Sequence, residues 1–280
     1  MSFSPTWLAL REPADHRARD TKLADRLASF LNGKDAPAIV DLGCGAGSNL
    51  RALAPRLGPH QNWTLVDYDP ALLDAARERL SAWADTANAD GEALVLVKNG
   101  KTMRVQFRQA DLSQGLETVL DPAPDCVTAA ALFDLCSSDF ITSAAHHIAR
   151  SGAAFFTVLT YDGHEEWQPP HEADDAMLAA FIAHQKTDKG FGVSAGPDAP
   201  RVLKNAFTDA GYDVHEASTP WRLEAPRDHA LMGELASGIA QAAVETGQVT
   251  PDDAKAWLTA RRFSTHASIG HRDCLALPRR

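Results

Sequence analysis

The chain alternates between short apolar runs and longer stretches in which apolar residues recur every three or four positions. Runs of the first kind read as strands buried on both faces, and stretches of the second kind as helices with one buried face. The first helix spans residues 21–31. Leu23, Leu27, Phe30 and Leu31 share one of its faces, and Asn32-Gly33 closes it. Residues 38–42 then form a strand that runs into a glycine-rich turn. A helix follows from Ser48 with Leu50, Leu53, Ala54 and Leu57 on one stripe, bent or shortened by Pro55. Residues 63–67 give the next strand. Asp69-Pro70 opens another helix, with a capping side chain followed by proline in the first helical position, and Leu73, Ala76, Leu80 and Trp83 form its buried face.

Residues 94–97 and 102–107 flank Asn99-Gly100, a turn pair suited to a hairpin. The hairpin embellishes a third strand that ends near Asp111. Residues 126–132 and 153–160 read as the fourth and fifth strands, with a helix carrying Phe140, Ile141, Ala144, Ala145 and Ile148 between them. Farther on, Met177, Leu178, Phe181 and Ile182 mark one helix. Val202, Leu203, Ala206 and Phe207 mark another, which Gly211 closes. Residues 212–216 and 273–277 are the last strands. Two helices lie between them, one over residues 227–245 and one capped by Thr250, with Pro251 and acidic Asp252-Asp253 in its first turn. This order predicts a doubly wound α/β fold, a mostly parallel sheet with helices on both faces and a helical insertion before the last strand. In such sheets ligands bind beyond the carboxyl ends of the strands, where the strand order reverses.

The loop after the first strand reads Asp41-Leu42-Gly43-Cys44-Gly45-Ala46-Gly47-Ser48. Its glycines permit a tight turn, let a ligand lie against bare backbone and free amide groups at the helix start. A nicotinamide dinucleotide site calls for GxGxxG, but the position of its third glycine, counted from Gly43, holds Ser48. Asp41, inside the strand, would sit awkwardly beside a pyrophosphate and suits a ligand with a positive end; alternatively it caps backbone amides at the strand end. Asp67 closes the second strand, where a carboxylate can accept both hydroxyls of a ribose or simply hold a turn. Asp111, in Ala110-Asp111-Leu112, either accepts an adenine amino group or caps the helix that follows.

Taken together, these segments resemble class I S-adenosylmethionine-dependent methyltransferases. Residues 39–48 are similar to the family's first motif, E/D-x-G-x-G-x-G. Val66-Asp67-Tyr68-Asp69-Pro70 looks like its acidic second-strand end, Ala110-Asp111-Leu112 like its adenine-edge motif, and residues 124–135 like its fourth-strand segment. The resemblance covers residues 35–159. It implies a Rossmann-like sheet of seven strands whose last, residues 273–277, is antiparallel. It also implies S-adenosyl-L-methionine as cofactor, held by Asp41, Gly43, Gly45, Gly47, Asp67, Tyr68, Asp111 and Leu112, and in-line transfer of its methyl group to an acceptor. On this reading one methyltransferase domain fills the chain: an N-terminal helical segment (1–34), a core (35–225), a helical insertion or lid (226–265), and a final strand and tail (266–280).

A base for the acceptor is expected after the fourth or fifth strand. Asp134 is one candidate, against a structural carboxylate. Tyr161 and His164, beside Asp162, are others, against a packing or orienting role and a solvated loop residue. His164, Glu165, Glu166 and His171 match no strong metal-ligand spacing and read as a mobile acidic loop, so no metal is expected. Arg11 or Arg17, in a segment with Trp7, can pair with the cofactor carboxylate or stay solvated, and that segment and residues 227–262 are the candidate lids. His184, Lys189, Phe191 and His271 are further pocket candidates.

The 280 residues carry a formal net charge of −10, with 45% hydrophobic and 23% charged residues. That composition is ordinary for a soluble globular domain. The acidity and the absence of a basic run argue against nucleic acid as substrate. Residues 130–133, Ala-Ala-Leu-Phe, lack the Asn/Asp-Pro-Pro-aromatic motif often used to methylate amino groups of nucleic acid or protein. A small-molecule acceptor is therefore expected. Four cysteines without a CxxC pair, no leader-like start and no apolar run of ~18 residues lead to a cytoplasmic protein that does not span a membrane. The alternatives are a noncatalytic adenosylmethionine- or adenosylhomocysteine-binding module and, more remotely, a dinucleotide oxidoreductase.

Overall fold

The computed structural model describes residues 3–279. Its strands form one sheet in the order β3-β4-β5-β2-β1-β6-β7-β10-β8, with β9 paired to β10. At the centre, β1 (Ala38–Leu42) lies parallel between β2 (His60–Asp67) and β6 (Cys126–Ala130). The parallel series continues through β5 (Lys101–Gln109) on one side and β7 (Ala154–Gln168) on the other. β10 (His266–Pro278) runs antiparallel to both β7 and β8 (Tyr212–Ser218). The expected seven-stranded plan with an antiparallel last strand is therefore present. It is extended by β3 (Thr86–Asp90) and β4 (Ala93–Lys98) at one edge and by β9 (Trp221–Glu224). The Asn99-Gly100 hairpin joins β4 to β5, so β5 is itself the third core strand.

Alternation along each strand separates two cores. Ile39, Trp63, Leu65 and Phe156 face a layer that includes α2 (Thr21–Leu31) and α4 (Pro70–Trp83). Val40, Leu42, Val66 and Phe155 face α5 (Ser138–Ser151) and α7 (Ala199–Asp209). Both faces of the central strands are dry, which is why they read as unbroken apolar runs. The helix after β1, α3 (Ser48–Leu53), stops before Pro55 and yields to a short 3-10 turn, Ala54–Arg56.

Three elements depart from the sequence expectation. A helix α1 (Pro5–Ala18) precedes α2, and Pro13 lies inside it. It is held by distant partners: Glu12 takes Arg51 in a two-pronged ion pair at 2.7 Å, and Asp15 accepts Trp221 Nε1 at 3.0 Å. β3 is the second departure, a weakly apolar strand that exists by pairing with β4. The third correction concerns His164, Glu165 and Glu166, expected together with His171 as a mobile acidic loop; residues 161–168 are ordered strand. They are the outer half of β7, and β10 pairs with them from Tyr161 to Gln168. Past the central sheet, this β7–β10–β9 extension carries α6 (Asp174–Gln185), α8 (His229–Glu245) and α9 (Pro251–Arg261), the last two inserted between β9 and β10. Among the described residues no helix is long and apolar enough to cross a membrane.

Buried Asp273 ties the ends of the chain to the sheet. It accepts Asp20 N–H at 2.9 Å, Leu159 N–H at 3.0 Å and Thr219 Oγ1 at 2.9 Å. The joint between α1 and α2 is thereby fixed over the carboxyl ends of the strands.

Candidate active site

Two adjoining cavities open at those ends. The first, about 380 Å³, runs from the glycine loop past Asp67 and Tyr68 to Asp111 and Leu112. The second, about 570 Å³, lies under α8 and the outer half of β7. Phe3, Arg11, Ala131, Leu135 and Lys189 line both. Volumes of this order suit organic ligands.

The first cavity is shaped by backbone. Gly43, Gly45 and Gly47 all have positive φ, the region that L side chains rarely occupy. At Gly45 a Cβ would come within 3.1 Å of Leu8 on α1, so the loop is bare where the helix closes over it. Asp67 fixes the loop from the next strand: its carboxylate accepts Gly45 N–H at 2.8 Å and Asp69 N–H at 3.0 Å. Burial raises its pKa above the ordinary aspartate value, opposed by those amide hydrogen bonds. Asp111 accepts Ser113 N–H and Oγ, capping the 3-10 turn Leu112–Gln114 while facing the cavity. The capping role is thus observed, and the same exposed carboxylate lines the cavity. Tyr68 presents a ring that is 67% exposed beside it.

Asp41 and Gly47 lie behind the wall. Gly47 starts α3 in the left-handed region and packs against Leu80 and Ala76. Asp41 is wholly buried, accepts Asn49 Nδ2 at 2.7 Å and leaves Oδ2 without a partner. Burial pushes its pKa up to about 7, against the pull of the Asn49 hydrogen bond and Arg19. Asn49 in turn accepts Arg19 Nη1 at 2.6 Å.

Arg19 is the cationic group the sequence did not single out. It lines the first cavity, and its Nε and Nη2 are shielded from solvent without a hydrogen-bond partner. Burial lowers its pKa, opposed by Asp273, Asp15 and Asp41. The two arginines favoured by sequence are engaged elsewhere. Arg11 lines both cavities but grips Asp15 through Nε and Nη2, and Arg17 bonds Asp228 at 2.6 Å. The available signal was position: Arg19 directly precedes Asp20, the cap of α2, where the chain must turn.

The base candidates separate in space. Asp134 and Tyr161 line the second cavity, whereas His164 lines neither and leaves its side chain 82% exposed. Tyr161 donates to Glu165 Oε1 at 2.8 Å. Burial pushes the Asp134 carboxyl up to about 6 and Glu165 up to about 7. His184, Lys189 and His271 also line this cavity, and Phe191 lines the first. Ala131 and Leu159, on the cavity walls, hold positive φ of 51° and 59° without being glycine. Such backbone persists only where the surroundings over-determine it, and it collects at functional sites. Among the described residues no group of three His, Cys, Asp or Glu side chains is placed to hold a metal ion.

Residues 39–153, less than half of the chain, match the methyltransferase domain family. Over 71 residues, 25% of the chain, the sequence is 46% identical to the biotin biosynthesis bifunctional protein BioCD of Bordetella avium, and the match spans only 15% of that protein. Among solved structures, the YcgJ protein from Bacillus subtilis superposes with a TM-score of 0.53 at 13% identity, over 93% of this chain and 100% of that one. A cyclopropane-fatty-acyl-phospholipid synthase-like protein from Lactobacillus casei gives a TM-score of 0.50 at 18% identity, over 94% and 91%. At these identities the two structures speak for the fold alone.

Residues 39–153 thus match a methyltransferase domain and lie within a Rossmann-like sheet.

Proposed function

We propose that the protein is an S-adenosylmethionine-dependent methyltransferase that methylates a small-molecule acceptor by in-line displacement. The observation that carries this reading is Arg19. A guanidinium with two shielded, unpartnered nitrogens, opening on the same cavity as the glycine loop and Asp67, calls for an anionic group on the ligand. A nucleoside ending in an amino-acid carboxylate supplies one.

The other residues fit the remaining parts of that molecule. Asp67 keeps lone pairs for a ribose after accepting two backbone amides. Asp111 and Leu112 stand where an adenine edge is expected, with Tyr68 beside them. Gly43 and Gly45 let the ligand approach bare backbone. Asp41 and Gly47 act from behind, Asp41 by orienting Asn49 and, through it, Arg19. Arg11 borders the cofactor without being free to clamp it. When bound, the sulfonium provides an activated methyl carbon and a neutral thioether leaving group. The protein's task is to hold the acceptor in line and exclude water, which contributes on the order of 7–11 kcal/mol. We assign 226–265 as the lid, because α8 forms a wall of the second cavity, and the rest of the chain as one unit around the sheet. Its four cysteines are buried and unpaired, which suits the cytoplasm.

The test has two parts. Titration with S-adenosylhomocysteine and with NADH, read by calorimetry, should show binding of the first alone. NADH binding in its place would overturn the reading. Labelled S-adenosylmethionine incubated with a metabolite extract should then yield a labelled small product. Adenosylhomocysteine binding without any labelled product would favour the noncatalytic module.

A further inference from the structure

The second cavity differs from the first in the hydrogen-bonding capacity it leaves unused. Its cations already have partners within the protein. Arg11 is clamped by Asp15 and lies 4.9 Å over the Trp221 ring. Lys189 Nζ donates to Thr187 Oγ1 at 2.8 Å and stands 3.4 Å from His184 Nδ1, whose other nitrogen meets Glu245 at 3.1 Å. The unused capacity lies on acceptors. Asp134 is 7% exposed, and its Oδ1 is buried without a partner. Glu165 accepts the Tyr161 hydroxyl on one oxygen and is drawn on by the Trp167 indole as well, which leaves lone pairs but no wholly free oxygen. Its neighbour His271 is 5% exposed with Nδ1 unpartnered, and burial together with Arg11 pushes its pKa down to about 3, so the ring is neutral. Around these groups the walls are aromatic, with Trp7, Tyr161, Phe181 and Trp221. Phe181 and His271 each meet the Tyr161 ring edgewise.

An aromatic cavity whose open polar atoms are carboxyl oxygens favours a cation that carries N–H donors. A carboxylate ligand would add a third acidic group beside Asp134 and Glu165, and a neutral ligand without a hydrogen-bond donor would leave Asp134 unpaired at a cost.

We propose that the second cavity binds the acceptor as an amine, with Asp134 and Glu165 receiving its ammonium group against the aromatic walls. This rests on the cofactor assignment above only in that the first cavity holds the methyl donor. An ammonium nitrogen must shed a proton before it can attack, and Asp134 takes it. The nitrogen lone pair then forms the N–CH₃ bond as the C–S bond breaks and its electron pair stays on sulfur; the proton leaves Asp134 for solvent with product release. A carboxyl with a pKa of about 6 is suited to this exchange near neutrality. Arg11 is the charged group that pulls on Asp134, and the other titratable groups lining the cavity are Lys189, His184, His271, Tyr161, Glu165, Glu234 and Glu245.

The test uses the whole protein saturated with S-adenosylhomocysteine and three matched probes: 3-phenylpropylamine, 3-phenylpropanol and 3-phenylpropionate. Calorimetry should show the amine binding roughly tenfold more tightly than either of the others. Asp134→Asn and Glu165→Gln should each remove most of that preference while leaving the affinity for the alcohol, the affinity for S-adenosylhomocysteine and the melting temperature unchanged. Two variants on separate elements keep the test valid if one folds poorly. No preference for the amine, a preference for the carboxylate, or a preference that survives both variants would overturn the proposal. The adenosylhomocysteine titration comes first: failure there sinks the cofactor assignment, whereas normal binding without an amine preference sinks the acceptor inference alone.

Discussion

The two cavities share a wall, yet they are built by opposite means. In the first, backbone fixes the shape: Asp67, at the end of the adjacent strand, takes backbone amides, and glycines give the chain its path. In the second, side chains from α1, β7, α6, α8 and β10 converge, and the buried atoms of Asp134 and His271 stay unpartnered. A common cofactor requires one rigid cradle, and a backbone cradle changes little with side-chain substitution. An acceptor is selected by side chains, and those can be exchanged without disturbing the cradle. Arg19 connects the two designs, since it is a distant side chain with unused donors facing the backbone-built cavity.

The largest expected effect breaks the backbone cradle. Gly45→Val places a branched residue at φ +52° with its Cβ near Leu8. S-adenosylhomocysteine affinity should fall on the order of a hundredfold or more by calorimetry, with a stability loss of about 1–3 kcal/mol from backbone strain. Unchanged affinity would mean that the ligand does not touch this loop. Arg19→Met sharpens the comparison. Affinity for S-adenosylhomocysteine should drop roughly ten- to hundredfold, as for loss of hydrogen bonds to a charged group, while affinity for adenosine, which lacks the carboxylate, changes little. An equal loss for both compounds would show that Arg19 shapes the cavity without meeting a carboxylate.

A smaller effect is expected where α1 is tied down. Burial opposes ionisation of Glu12, but Arg51, with His16 and Arg79, outweighs it and holds the pKa below the ordinary 4.5. A depressed carboxyl pKa adds stability that is complete above 4.5 and is lost as pH falls through the lowered folded value. Glu12→Gln should therefore cost about 1–3 kcal/mol at neutral pH in denaturant melts and flatten the acid limb of the stability curve. A variant as acid-sensitive as the parent would place that limb elsewhere. The smallest effect belongs to His164→Ala, which should alter stability by less than about 0.5 kcal/mol and leave adenosylhomocysteine affinity unchanged. A marked loss of either would show that the outer end of β7 reaches the ligand.

Legibility followed the range of the interactions. The strand over residues 38–42, the loop to Ser48, the Asp69 cap of α4, the Asn99-Gly100 hairpin and the Thr250 cap of α9 all stand where the residues indicated. Each is decided by residues within a turn or two of one another. His164, Glu165 and Glu166 are charged or polar side chains that do not by themselves indicate a strand; they lie in one because β10 runs beside them. α1 falls within the N-terminal segment expected to be helical, but its limits are not legible because its apolar residues do not fall on one face and Pro13 interrupts them. The partners that hold it, Arg51 and Trp221, lie far along the chain.

The sequence by itself determined the alternating α/β order, the bare glycine turn and the acidic strand ends, because backbone conformation and apolar periodicity are local properties written into consecutive residues. Tertiary structure alone decided that Arg19 holds shielded, unpartnered donors at the first cavity while Arg11 and Arg17 sit in ion pairs, that His164 lines neither cavity, and that Asp134, Glu165 and His271 share one aromatic chamber. Those outcomes depend on which distant charges find each other first and on which polar atoms are left buried without a partner, and neither is fixed until the layers close on the sheet.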